Sequence, residues 1–180
     1  LSLVRSILIR ARDDWEWIDR IPTIRLYRES NDRVRALTVD EAKVLIEQLP
    51  QHQKMTVLFA LATGLRQSNI LKLKWSQVDL TNRFLYVEAR DFKGRKHHGI
   101  PLNDAAFQVL MSQPGKHESR VFTYKGQPLE AANTAAWKKA LKRAGIKDFR
   151  WHDLRHTWAT WLRKAGTPTH ELQILGGWNG

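Results

Sequence analysis

A stripe of large apolar residues at helical spacing, Leu154, Trp158, Trp161, Leu162 and Ala165, begins inside the segment Trp151-His152-Asp153-Leu154-Arg155-His156. Such a stripe must be buried against other elements, which commits this part of the chain to a packed helix. His152 and Arg155 are three residues apart and project to one side of that helix, on a different arc from the stripe. Both are therefore expected to be presented to a ligand, not packed. An arginine offers planar, permanently charged donors suited to a phosphate, and a histidine moves a proton near neutral pH. Taken alone, the pair fits a capping histidine beside a solvated arginine as well as it fits a site for phosphodiesters.

Three further segments point the same way. Ala62-Thr63-Gly64-Leu65-Arg66-Gln67-Ser68-Asn69 follows the apolar run from Met55 to Ala62. Gly64 is expected to end a buried helix and Ser68 to open the next, leaving Arg66 at the junction, where backbone donors also face outward. Lys93-Gly94-Arg95-Lys96 reads as a turn between strands near Phe84 to Glu88 and Gly99 to Leu102, a hairpin able to carry a lysine to a site built by helices. The third is Leu175-Gly176-Gly177-Trp178.

In chain order, Arg66, Lys93, His152-x-x-Arg155 and Gly176-Gly177-Trp178 resemble the signature of the tyrosine recombinase (phage integrase) family. The surrounding text matches as well: Leu37-Thr38-x-x-Glu41, Thr63-Gly64-Leu65-Arg66, Ile100-Pro101-Leu102 and His152-Asp153-Leu154-Arg155-His156-Thr157. The resemblance extends over nearly the whole chain. It implies the helical catalytic domain of a site-specific DNA recombinase or integrase, which cuts and rejoins DNA by transesterification through a 3′-phosphotyrosyl intermediate, without ATP, metal or cofactor. Arg66 and Arg155 would hold the equatorial oxygens of the phosphorane, Lys93 would protonate the leaving 5′-oxygen, and His152 would serve as general base or proton shuttle. Trp178 stands where the family has histidine or tryptophan, its indole N–H a donor to phosphate and its ring a packing element. His156 is expected to be structural. Asn69 departs from the acidic residue common at that point, which bears on the support of Arg66. The nucleophile is the larger departure. Tyr27, Tyr86 and Tyr124 stand in a linker, a strand and a turn, in no matching context, and the family tyrosine would fall beyond Gly180. The chain is thus expected to bind DNA without forming the covalent intermediate, the parent protein being the enzyme. The implied partners are double-stranded DNA carrying attachment sites, other protomers in a tetramer on DNA (a monomer for the isolated piece) and accessory DNA-bending proteins.

Composition sets the outer limits. The chain has 180 residues, 42% of them hydrophobic, enough for one domain with a core that needs no staples. The absence of cysteine excludes a disulfide framework and any thiolate metal site. No apolar stretch approaches the roughly 20 residues of a membrane span and no signal peptide is visible, so the sequence reads as soluble, intracellular and without a membrane partner. With the resemblance, the expected location is the cytoplasm of a bacterial host, at the nucleoid. Lys and Arg number 30 against 18 acidic residues, a net charge of +12, which is the footprint of a nucleic-acid binder.

The expected fold is α+β, mostly α-helical, with a small antiparallel β-sheet of two clear strands and one more. Leu1, Val4, Leu8, Ala11, Trp15 and Ile18 recur at helical spacing up to Pro22. The resemblance makes residues 1–22 the C-terminal helix of a preceding core-binding domain, 23–36 an interdomain linker, and 37–180 the catalytic domain, truncated before its tyrosine. A start at Leu1 inside a helical pattern reads as a piece of a longer protein. The linker carries Arg25, Arg28, Arg33 and Arg35, which are expected to contact DNA. Thr38 and Glu41 form a capping box, a second helix runs from about Gln53 to Gly64, and Asn103 caps a helix from Asp104 to Met111. A helix from Glu130 to Ala144 sets Lys138, Lys139, Lys142 and Arg143 opposite Trp137 and Leu141, a basic side suited to a phosphate backbone.

Three other functions compete. A non-enzymatic DNA-binding module fits the chain as it stands. A type IB topoisomerase shares the chemistry, but the Gly-Gly-Trp segment and the linker favour integrases. A zinc protease is suggested by the His-x-x-x-His spacing of His152 and His156, against which stand Asp153 in place of Glu and the strong positive charge.

Overall fold

The computed structural model describes residues 2–24, 35–87, 98–113 and 117–178. It divides into two compact units, Leu1–Arg33 and Val34–Gly180. In the first, helix α1 (Ser2–Asp13) stops short of the periodicity that continues to Ile18. Asp13 and Asp14 follow one another there, and short acidic side chains favour turns over helix interiors. The main chain turns, with the N–H groups of Asp14 and Trp15 both donating to the Arg10 carbonyl and Glu16 at a φ of 51°.

The second unit opens on the capping box at Thr38. Its hydroxyl accepts the Glu41 N–H at 3.1 Å and its own N–H donates to the Glu41 carboxylate at 2.8 Å, starting α2 (Val39–Gln48). Next comes α3 (Gln51–Thr63), apolar over most of its circumference because it is surrounded. Packed on it are α2, α5 (Asp104–Met111) and α7 (Asp153–Lys164), and Val57, Phe59 and Ala60 are almost wholly buried. Gly64 ends α3 in the left-handed region at a φ of 64°, its N–H on the Ala60 carbonyl. The next helix, α4 (Gln67–Leu71), takes Arg66 as its cap residue, two positions before the expected Ser68, which lies inside the helix.

Strands β1 (Val78–Asp79), β2 (Phe84–Val87) and β3 (His98–Pro101) form an antiparallel sheet in the order β1-β2-β3, with Leu85 opposite Ile100 and both buried in the core. Asn103 caps α5 as expected, its side chain accepting the Ala106 N–H at 2.9 Å. A second small hairpin, β4 (Thr123–Tyr124) with β5 (Gln127–Pro128), was not foreseen, and it makes Tyr124 a strand residue. Helix α6 (Ala135–Arg143) begins five residues later than expected. Thr134 supplies the cap, accepting the Trp137 N–H, so the alanines before it stay outside the helix. Helix α8 (Thr169–Gly176) packs on α7 and ends at Gly177, again left-handed at a φ of 58°.

Candidate active site

Arg155 overturns one expectation. It is 4% exposed, not presented, although His152, the cap residue of the same helix, stays accessible at the surface with its ring only partly covered. The reason is the placement of α7 against α3 and α8, which turns two main-chain ends toward the guanidinium. One Nη donates to the Gly64 carbonyl at 2.6 Å and the other to the Gly176 carbonyl. Those are the carbonyls at the ends of α3 and α8, where the helix dipole leaves partial negative charge and oxygens that lack intrahelical partners. The Trp178 ring covers the guanidinium, its centroid 4.3 Å from Cζ, a favourable cation–π distance. Burial, and after it the nearby charge of Arg66, push the Arg155 pKa down to about 10, so the group remains a cation at neutral pH.

Four of the five expected catalytic residues fall within the described residues, and the structure relates them to one another. Arg66 is half-buried at the start of α4, and its charge acts on both Arg155 and His152. His152 lies at the start of α7 with its ring edge-on to that of His156, centroids 5.1 Å apart. Partial burial of the ring, then the charges of His156 and Arg155, lower its pKa below the ordinary 6.5, against a weaker opposing pull from Asp153. The imidazole is therefore neutral at physiological pH, the form that accepts a proton. Trp178 packs 6.0 Å from Trp158 as well as over Arg155. Lys93, with Gly94, Arg95 and Lys96, lies outside the described residues; the strands flanking it, β2 and β3, pair antiparallel. His152 and His156 are not joined by a third histidine or acidic group in any cluster able to hold a metal among the described residues. Asn69 is buried, and its Nδ2 has no hydrogen-bond partner among the described residues.

The expected DNA-contacting residues divide three ways. Lys138, Lys139 and Lys142 stand exposed on α6, opposite the buried Trp137, Ala140 and Leu141. Arg143 does not continue their row, because its guanidinium donates to the Gln48 main-chain carbonyl at 2.6 Å and side chain at 3.1 Å, bracing α6 against the end of α2. Arg35 is likewise engaged, paired with the Glu41 carboxylate at 2.5 Å and bonded to the Ala36 carbonyl. Arg25, Arg28 and Arg33 lie outside the described residues, as does Tyr27. Tyr86 is exposed on β2 and Tyr124 stacks on His52 at 4.1 Å.

Sequence reasoning missed the parts of the site that are main chain or shape. The Gly64 and Gly176 carbonyls carry no residue-type signature. A Cβ on Gly64 would lie 2.3 Å from the Trp158 ring, and one on Gly176 would lie 2.4 Å from the Trp178 ring. The glycines are therefore fitted to the tryptophans, and the pairing of each glycine segment with an aromatic in the helical stripe or just after it was the available signal.

A mostly helical unit with a small antiparallel sheet, in this element order, is the fold of tyrosine recombinase catalytic domains. Among solved structures, λ integrase(75–356), a dimer bound to a COC′ core site, matches with a TM-score of 0.68 and 23% identity over 84% of this chain and 60% of that one. The catalytic domain of bacteriophage HP1 integrase matches at 0.64 and 22% identity, covering 82% of this chain and 83% of that domain. The phage integrase family profile matches residues 35–180, and the chain belongs to that family. The integrase of Salmonella phage P22 is 41% identical over 191 residues, 99% of this chain but 49% of that protein. The shufflon-specific DNA recombinase of Escherichia coli is 30% identical over 161 residues, 87% of this chain and 40% of that protein. The chain thus spans about half the length, or less, of these curated relatives.

Proposed function

We propose that this chain is the catalytic domain of a site-specific DNA recombinase whose full-length protein cuts and rejoins double-stranded DNA at attachment sites. The observation that carries the proposal is Arg155. It is a buried cation bonded to neutral carbonyls, with the charge of Arg66 close enough to depress its pKa. Two like charges held together, one of them buried, are stabilised by an anion between them, and a phosphodiester meets that need with two equatorial oxygens. In the reaction a tyrosine oxygen attacks phosphorus, a phosphotyrosyl bond forms and the bond to the 5′-oxygen breaks. His152 takes the phenolic proton, Lys93 gives one to the leaving oxygen, and Arg66, Arg155 and the Trp178 N–H stabilise the phosphorane. None of the three tyrosines in the chain is assigned as nucleophile. Residues 1–22 and 23–36 serve as the end of a core-binding domain and a linker, and residues 37–180 carry the site. A tetramer on DNA, DNA-bending accessory proteins and a place in the bacterial cytoplasm at the nucleoid complete the proposal.

The test is covalent capture. With a nicked duplex that loses its leaving strand, the full-length protein is expected to accumulate a DNA adduct, and Arg66→Ala is expected to slow its formation at least ~100-fold. The pH profile adds a check. Neutral His152 is the working base and its pKa lies below the ordinary 6.5, so the rate falls with acid along a limb whose midpoint lies below pH 6.5. No adduct, or an acid limb centred above that value, overturns the assignment.

Binding by the chain itself is expected to weaken with salt, log K falling by about 0.9 per phosphate contacted for each unit of log salt. Changing Lys138 and Lys139 together to alanine flattens the slope on every duplex alike, because exposed lysines on one helix face reach phosphates, not base edges. A loss confined to one sequence would contradict backbone contact.

A further inference from the structure

The residue that enters the catalytic unit ahead of α2 is bound to the helix that carries the site. Leu37 is 2% exposed, and both of its main-chain polar groups are satisfied by side chains of α7. Its N–H donates to the Thr157 hydroxyl oxygen at 3.1 Å, and its carbonyl accepts the Trp161 indole N–H at 2.9 Å. Thr157 is fully buried and its hydroxyl proton goes back to the Asp153 carbonyl at 2.8 Å, in the first turn of α7 between His152 and Arg155. One hydroxyl thus accepts from the incoming strap and donates to the turn that bears the site. The strap is fixed on its other side too, by the Arg35 pair with Glu41 and the Thr38 cap.

We infer that Thr157 is a positioning residue for the strand-cleavage reaction, holding the His152–Arg155 turn in register with the strap at Leu37, a role that rests on the recombinase function proposed above. The hydroxyl matters because it accepts and donates at once; the isosteric valine does neither. Displacements of about 1 Å at reacting groups are enough to slow catalysis up to ~100-fold while leaving ligand affinity alone.

The experiment uses the full-length protein and the nicked duplex, measuring single-turnover cleavage across DNA concentrations for Thr157→Val, Thr157→Ser and Trp161→Phe. Expected for Thr157→Val is a loss of tenfold or more in rate at saturating DNA, on the order that misplacement produces, with an unchanged half-saturating concentration. Thr157→Ser restores the rate, and Trp161→Phe, which keeps a ring but loses the N–H, shows the same rate-only defect. If Thr157→Val does not fold, Trp161→Phe and Thr157→Ser carry the test. Wild-type rates for Thr157→Val or for Trp161→Phe, or a defect in affinity and rate together that serine does not repair, would overturn the role of Thr157 alone. Absence of an adduct with the unsubstituted protein would overturn the recombinase function and this role with it.

Discussion

In the proposed full-length recombinase, Arg155→Ala is expected to cut the rate of strand cleavage and to destabilise the fold, whereas Arg66→Ala is expected to cut the rate with little effect on the fold. Removing Arg155 strands the Gly64 and Gly176 carbonyls inside the protein and opens a gap under Trp178. Stranded buried acceptors cost about 1–3 kcal/mol each, offset in part because a guanidinium no longer has to be desolvated, so a net loss of about 2–4 kcal/mol follows. Arg66 is only half-buried, whereas two buried main-chain acceptors depend on Arg155, so removing Arg66 is expected to cost less, about 1 kcal/mol. Cleavage should fall at least ~100-fold in both variants, the scale of losing one donor to a transition state. Thermal melting of the two variants side by side checks the asymmetry. An Arg155→Ala protein that melts with the wild type would mean that the two carbonyls find other donors.

Gly64→Ala is expected to be as damaging as a lesion in the site itself. The new methyl would meet the Trp158 ring at 2.3 Å, and the residue would have to hold a φ of 64°. Left-handed backbone costs roughly 1–2 kcal/mol for a residue with a Cβ, and overpacking a dense interior adds about 1–3 kcal/mol. The Gly64 carbonyl anchors Arg155, so any relief by backbone movement is transmitted to the guanidinium. A double-mutant cycle isolates the collision. Trp158→Leu is destabilising alone, yet in its presence Gly64→Ala should be cheaper by more than about 1 kcal/mol, the range of direct coupling. Additive effects would show that the alanine is strained by its backbone alone.

Features carried by local patterns were legible in the sequence. The capping box at Thr38 and the Asn103 cap each need residues only three positions apart, and both form as expected. The left-handed end of α3 follows from Gly64 in the same way. Long-range consequences were not legible. That Arg155 is buried depends on carbonyls 91 and 21 residues away, and helical spacing alone placed it outside the apolar arc. Lys138, Lys139 and Lys142 do lie exposed on one side of α6, but Arg143 is drawn off by the end of α2, 95 residues distant. The early end of α1 and late start of α6 show the limit of periodicity, which continues through residues whose side chains or caps stop the helix.

Because Arg155 is anchored by main-chain atoms, the anchoring residues supply no side-chain chemistry; what matters is their lack of bulk and, at Gly64, the left-handed backbone. Any amino acid can offer a carbonyl. At positions 64 and 176 a side chain of any kind would collide with a tryptophan, so natural variation there is filtered by volume. Changes at these two positions will accordingly act through packing, and many will present as poorly soluble or short-lived protein.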